Sequence, residues 1–463
     1  MKRLPLSLLA HWANGELRGE DVLVDTLIND TRSLMPGSLY VAIRGERFDG
    51  HDFAYDAAMR NAGALLVEHA VEVDLPQIIV ADTQTALARI AANLQLDRSG
   101  KMVAITGSNG KTSVKSLIQS ILRRAGNTYI NPGNRNNEIG LPLAVIDAPD
   151  DADFAVYEMG AGKPGDIAYL TEIVIPDVAL VNNVASAHLE RMGSLLGVAE
   201  TKGAIYSALS SDGVAVINAD DAFAEYFAGL AAGKRILRFG LDASADIAAR
   251  DINALDGGRE GSRFVLVTPQ GEAAVNLLLP GRHNILNALA AAALALACGV
   301  ALETIAEGLA DSKPVSGRQV ARPLPNGAVL IDDSYNANPG SLAAAIDTLA
   351  AAGGEAWLVL GDMRELGAEG EALHAEVGRG AKSAGIRRLY TLGPLSAAAA
   401  LAFGEGARSF ESHAALIDAL RVDLQQVEQP QTLRCLVKGS RGSAMDRIVT
   451  ALLSTGEGAS HAA

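Results

Sequence analysis

Residues 102–125 constrain this chain more than any other stretch. The apolar run Met102-Val103-Ala104-Ile105 leads into Thr106-Gly107-Ser108-Asn109-Gly110-Lys111-Thr112, and a helical pattern continues to Ala125. A strand, a glycine turn and a helix in that order make an anion cradle. The glycines let consecutive N–H groups point inward, and the helix N-terminus adds its dipole. In such a loop Lys111 reaches the β- and γ-phosphates of a nucleotide, and the Thr112 hydroxyl can ligate Mg²⁺. The long pattern G-x-x-x-x-G-K-[ST] fails, because Ile105 stands where its first glycine belongs. The shorter T-G-x-x-G-K-T loop remains, and the strand before it and the helix after it argue against a chance Gly-Lys-Thr.

Around this loop the chain alternates strand and helix patterns. Strands are expected at Leu39–Ile43, Ala64–Val67 and Ile78–Val80, with helices at Asp52–Asn61 and Thr83–Leu96. A polar linker, 97–101, precedes the loop strand. Further strands are expected at Phe154–Glu158, Val178–Asn182 and Val214–Asn218, then a hairpin, Phe264–Thr268 with Ala273–Leu279, and a helix, His283–Cys298. A third βα series has strands at Ala328–Asp332, Trp357–Leu360, Arg388–Leu392 and Leu433–Lys438. The 463 residues suit about three domains. The expected fold class is α/β with a small N-terminal domain (1–98), a central P-loop domain (99–313) and a Rossmann-like C-terminal domain (314–463).

A net charge of −15 argues against a general electrostatic hold on nucleic acid or an anionic membrane. Cys298 and Cys435 make neither a disulfide framework nor a zinc spacing, so both are expected as buried thiols in a reducing compartment. The run Leu4–Ala10 lacks the pattern of a signal peptide, and Ala288–Leu302 falls short of the ~18 residues a membrane span needs. A cytoplasmic location follows as the expectation.

Downstream of the loop, Glu158 ends a strand and is followed by Gly160 and Gly162, the place where a further Mg²⁺ ligand belongs in such a sheet. A surface acid at a strand end is the bland alternative. His188 follows another strand; a lone histidine is more often structural, but the strand ends at Thr106, Glu158 and Asn182 would converge beside it. Lys202, read alone, is a solvated helical lysine.

Taken together, Ile105–Thr112, Glu158–Gly160, Asn182–Leu189, Gly281–Asn287, Ser316-Gly317-Arg318 and Leu330–Pro339 resemble the Mur ligases of peptidoglycan synthesis, in order and over nearly the whole chain. That family's own phosphate loop is the short form. Within it, 332–339 (DDSYNANP), 360–367 (LGDMRELG), Asp30–Ser33, Gly45–Phe53 and Asn131–Pro142 look like the branch that adds D-alanyl-D-alanine to UDP-N-acetylmuramoyl-tripeptide. The D-N-P-R motif of the diaminopimelate- or lysine-adding branch is missing. Alternatives left open are another carboxylate–amine ligase of the Mur or folylpolyglutamate type, or a P-loop ATPase switch.

The resemblance implies an ATP-dependent ligase that passes through an acyl phosphate, with two Mg²⁺ ions; a monomer is the expectation. The uridine diphosphate would face Ser33, Gly45, Phe48, Asp49 and His51, and the sugar-peptide would face Asn134, Asn137 and Glu138. Gly107, Ser108, Asn109, Gly110, Lys111, Thr112 and Ser113 would hold the phosphates. Thr112, Glu158 and His188 would ligate the metals, and Lys202 matches a lysine that is carbamylated in the family. His283, Asn284 and Asn287 would lie on the adenine side, and Arg318 and Asp333 at the γ-phosphate and ribose. Asn336, Asn338, Lys438, Ser440 and Arg441 would serve the dipeptide side and closure. The catalytic set implied is Lys111, His188, Lys202 and Arg318.

Overall fold

The chain is described here as a computed structural model covering residues 1–45, 47–186, 189–255 and 261–454. The strand Lys101–Thr106 is the hinge of the architecture. It alternates Met102 and Ala104 on one face with Val103 and Ile105 on the other, all buried. That suits a strand inside a parallel sheet covered by helices on both sides. Its sheet has six strands, all parallel, in the order 235–239, 214–218, 178–181, 101–106, 154–158, 128–130. Neighbours of the loop strand thus lie on opposite sides of it, and Glu158 pairs in register with Ile105 while Val181 pairs with Thr106. Consecutive crossovers in opposite directions open a crevice at the carboxyl ends of these strands.

The N-terminal sheet orders Glu16–Arg18, Gln77–Ile79, Ala64–Val67, Leu39–Val41 and Leu27–Ile28, parallel except at its first pair. One of its faces packs on a core of its own, Tyr40, Ala42, Ala54, Ala57, Leu65 and Val67, while the other shares a core with the central unit. One apolar cluster runs from Leu6 and Leu9 through the helix Thr83–Leu96 to Met102, Ala104 and Phe227. The apolar run at the start of the chain is therefore spent on a helix, Leu6–Ala13, buried against its neighbours. The expected hairpin stands as Ser262–Thr268 and Gly271–Leu277, with a third antiparallel strand, Ala248–Ala254, that its largely exposed side chains hid in the sequence.

The third sheet has six strands in the order 320–323, 329–333, 433–438, 355–361, 388–392, 407–410, parallel save for the first. Apolar clusters cover both of its faces. The alanine-rich helix stops at Ala297, short of the expected end of the apolar run, because Gly299 takes φ +85°. Cys435 is buried as expected, whereas Cys298 is only half-buried; both are free thiols. Among the described residues no helix is long and apolar enough to cross a membrane.

Candidate active site

The helix Lys111–Leu122 exists because Val114, Leu117, Ile118 and Ile121 form one apolar stripe. Its N-terminus is aimed by Gly110, at φ +80°, where a side chain would strain the backbone. A Cβ there would also come within 2.5 Å of both Asn182 Nδ2 and Asn287 Oδ1. Those two amides hydrogen-bond each other at 3.0 Å and lock the loop from behind. The loop is further held by Ser108 N–H donating to Asn183 O and Asn109 N–H donating to Asn183 Oδ1 at 2.8 Å.

A cleft of about 700 Å³ opens in front of this loop, between the central and third sheets. Ser108 to Ser113 form its floor. Lys111 donates from Nζ to Gly107 O at 2.5 Å, and its desolvation, with Arg318 nearby, lowers its pKa despite the opposing pull of Glu158. The Thr112 hydroxyl donates to Glu158 Oε2 at 3.0 Å and accepts from Arg318 Nη2 at 2.9 Å. Arg318 lies 4.4 Å from the centre of the Tyr335 ring, which holds its plane. Burial alone would raise the Glu158 pKa; Lys115, Lys111, the Thr112 hydroxyl and Arg318 outweigh it and keep the carboxylate ionised.

The third sheet delivers the opposite wall. Asn338 caps the helix Pro339–Ala351 in a capping box with Ser341, and its Nδ2 donates to Asn109 Oδ1 at 2.7 Å. One side chain thus starts a helix of the third unit and touches the phosphate loop of the second. Lys438 pairs with Asp333 at 2.7 Å and donates to Asn336 O at 3.1 Å. His283, Asn284 and Asn287 line the cleft from the helix Arg282–Ala297. Burial, with Lys438 adding to it, lowers the His283 pKa to about 4, so its imidazole is neutral near pH 7. Asn137 and Glu138 line the cleft as well.

Several expected residues stand elsewhere. Asn134 does not line the cleft; Asn136 does, donating to Glu158 Oε1 at 2.9 Å. Gly107 lies behind the floor, its φ of +149° turning the strand into the loop. Ser440 is buried, with its hydroxyl donating to Ala337 O and accepting from Arg364 N–H, so it ties two loops together away from the cleft. Arg441 is exposed and pairs with Asp446 at 3.3 Å. Lys202 is 1% exposed and not on the cleft wall; burial and the Lys111 charge bring its pKa down to about 7. His188 lies outside the described residues.

In the N-terminal unit Gly45 and Phe48 border a separate shallow cavity, with Asn29, Arg47 and Phe53. His51 does not face it. Its Nδ1 donates to Asp49 at 2.6 Å and its Nε2 accepts from Glu68 N–H at 2.8 Å, so both ring nitrogens are spent inside the fold. Asp49 in turn is held at about 2 by the His51 backbone N–H, the His51 ring and Arg44. The Ser33 hydroxyl donates back to Asp30 O at 3.0 Å.

Lys115, Asn131, Asn136 and Asn183 all brace this site and were not singled out in the sequence. Lys115 had a signal: it lies four residues past Lys111, on the same helix face.

Three family models tile the chain: the Mur ligase catalytic domain over 25–95, the Mur ligase middle domain over 105–295, and the Mur ligase glutamate ligase domain over 317–441. A curated relative, the UDP-N-acetylmuramoyl-tripeptide–D-alanyl-D-alanine ligase of Escherichia coli K12, is 45% identical across 98% of this chain and 100% of its own. The chain belongs to the Mur ligase family. Family membership makes it a ligase, and two solved structures fit it along its length. A crystal structure of MurF from Acinetobacter baumannii superposes with a TM-score of 0.92 at 32% identity, over 98% of this chain and 100% of that one. MurF from Thermotoga maritima, solved in complex with ADP, superposes with a TM-score of 0.83 at 27% identity, over 93% and 97%.

Proposed function

We propose that this ligase uses ATP to join D-alanyl-D-alanine to UDP-N-acetylmuramoyl-tripeptide, giving the pentapeptide precursor, ADP and phosphate. The observation that carries the reading is the cleft itself. A phosphate loop, an ionised buried carboxylate and Arg318 meet there, under a wall that Asn338 closes onto Asn109. The cleft also runs past the phosphate loop to Asn137, Glu138 and Lys438, which leaves room for more than a nucleotide.

A carboxylate is a poor acyl donor, because it is anionic and its leaving group would be oxide. Attack of the tripeptide's terminal carboxylate oxygen on the γ-phosphorus forms an acyl phosphate and releases ADP. The dipeptide amine then adds to the acyl carbon, loses a proton, and phosphate leaves with the oxygen that attacked. Lys111 and Arg318 stand where charge builds on the phosphates during the first step. Closure of the third unit over the cleft would keep water from the acyl phosphate. His283, neutral, can lie against the nucleotide without adding charge.

The donor set fits Mg²⁺: the Thr112 hydroxyl and the Glu158 carboxylate are adjacent hard oxygens, and the carboxylate is held ionised. When bound there, the ion would offset charge on the phosphate oxygens. A second ion near His188 and carbamylation of Lys202 belong to the same proposal. A lysine with a pKa of about 7 holds a large share of neutral amine at neutral pH, the form that adds CO₂. The enzyme would act in the cytoplasm as a single chain.

The test is an acceptor screen with ATP, Mg²⁺ and UDP-muramoyl-tripeptide. Phosphate release with D-alanyl-D-alanine and not with single amino acids supports the proposal. Release without any amine would make the protein an ATPase instead.

A further inference from the structure

Lys115 stands behind the cleft, one turn past Lys111, and is 4% exposed. Its ammonium meets three acceptors: Asn131 O at 3.0 Å, Gly133 O at 3.1 Å and Glu158 Oε2 at 3.2 Å. An ammonium has three N–H groups, so all three are matched. The two carbonyls open the segment 131–138, which goes on to the cleft. Asn136 in that segment donates to the other oxygen of the same carboxylate at 2.9 Å, and Asn137 and Glu138 line the wall. Asn131 grips the Glu158 backbone in both directions, accepting from its N–H at 2.9 Å and donating to its carbonyl at 3.0 Å.

One cation therefore joins the carboxylate beside the phosphate loop to the segment that forms another face of the cleft. We propose that Lys115 is a positioning residue that holds segment 131–138 in register with Glu158, so that the tripeptide-side wall and the phosphate floor are set as one unit. The inference rests on the ligase reading for what that wall binds, but not for the coupling itself. Stability alone is a weak reason for the lysine. Its helix neighbours Val114, Leu117 and Ile118 are buried and apolar, and a buried ion pair usually gains little over a well-packed apolar residue. Arginine could not copy it, since a planar fork does not match three acceptors spread around one nitrogen.

The test is Lys115→Met in the full chain, with Lys115→Arg as the second variant. The first readout is amide hydrogen exchange without ligands. The N–H groups of Asn131, Arg135 and Asn136 are hydrogen-bonded in the parent. They should exchange faster in Lys115→Met, while the strand Leu433–Lys438 exchanges as before. The second readout is steady-state kinetics. KM for UDP-muramoyl-tripeptide should rise about 10- to 100-fold, the range for losing one hydrogen bond to a charged group, and more than KM for ATP, which feels the loss only through Glu158. If Lys115→Met does not fold, Lys115→Arg should show the same pattern at smaller size. Unchanged exchange in 131–138, or equal rises in both KM values, would overturn the inference. An inactive parent enzyme would instead overturn the ligase reading and leave the exchange result to decide the coupling.

Discussion

Asn338 offers a way to separate a helix cap from a domain contact. Its Oδ1 accepts from Ser341 N–H at 2.9 Å, and its Nδ2 donates to Asn109 Oδ1 at 2.7 Å. Asn338→Ala removes both. Losing an N-cap costs about 1 kcal/mol, which in a unit of this size lowers Tm by about 2–4 °C. Asn338→Ser keeps a capping oxygen, since serine and asparagine cap about equally well, but it is too short to reach Asn109. Its Tm should fall by less than that of Asn338→Ala, which loses the cap as well. A neutral hydrogen bond is worth about 0.5–1.5 kcal/mol net, so loss of the Asn109 contact should lower kcat/KM for ATP by about 2- to 12-fold in both variants. Differential scanning calorimetry reads the first effect, and a coupled ADP assay with both co-substrates reads the second. The reasoning fails if Asn338→Ser melts like Asn338→Ala, or if its kcat/KM matches the parent's.

Four further outcomes follow from the site. Lys111→Ala should fold, by circular dichroism and melting, yet lose ligation by at least about 10²–10³, as for deletion of one charge-stabilising donor; ordinary turnover would refute its phosphate role. His283 has a folded pKa of about 4, below its unfolded value of 6.5, so the protein should lose stability as pH falls from 6.5 towards 4. In Asn-substituted His283 the slope of that loss should be shallower; an identical slope in urea melts would count against the burial argument. Lys202 has a folded pKa of about 7 against 10.5 unfolded, so its buried ammonium penalises the fold most below pH 7, and the penalty fades as pH rises to 10.5. Lys202→Met should therefore be more stable than an uncarbamylated parent at neutral pH, with the gap closing by pH 10. Slow Lys202→Ala turnover that short carboxylic acids restore would support carbamylation, and no restoration would argue against it.

The phosphate loop was legible because its chemistry is local: two glycines, a lysine and a threonine at a strand-to-helix turn define it without the rest of the chain. The convergence of the strand ends at Thr106, Glu158 and Asn182 was also legible, since parallel strands bring their carboxyl ends to one edge. The short strands Thr128–Ile130, Val320–Pro323 and Ala407–Phe410 were not, because each lies at a sheet edge with half-exposed or exposed side chains and no apolar run. The asparagines of 131–137 could not be ranked from sequence. Which of them faces Glu158 depends on the turn at Gly133, at φ +55°, and on Lys115 holding its carbonyls. The resemblance alone put His51 at the uridine diphosphate, yet Asp49 and the Glu68 amide take both of its nitrogens. The resemblance likewise put Ser440 on the dipeptide side, but its hydroxyl is turned inward to Ala337.

The most direct test of the account follows oxygen. UDP-muramoyl-tripeptide labelled with ¹⁸O in its terminal carboxylate would be turned over with ATP, Mg²⁺ and D-alanyl-D-alanine, and the released phosphate read by mass spectrometry. An acyl phosphate requires one labelled oxygen in each phosphate and the other in the new amide carbonyl. Phosphate free of label, with ATP still consumed, would mean that water takes the γ-phosphoryl group and that the cleft is not an acyl-phosphate site.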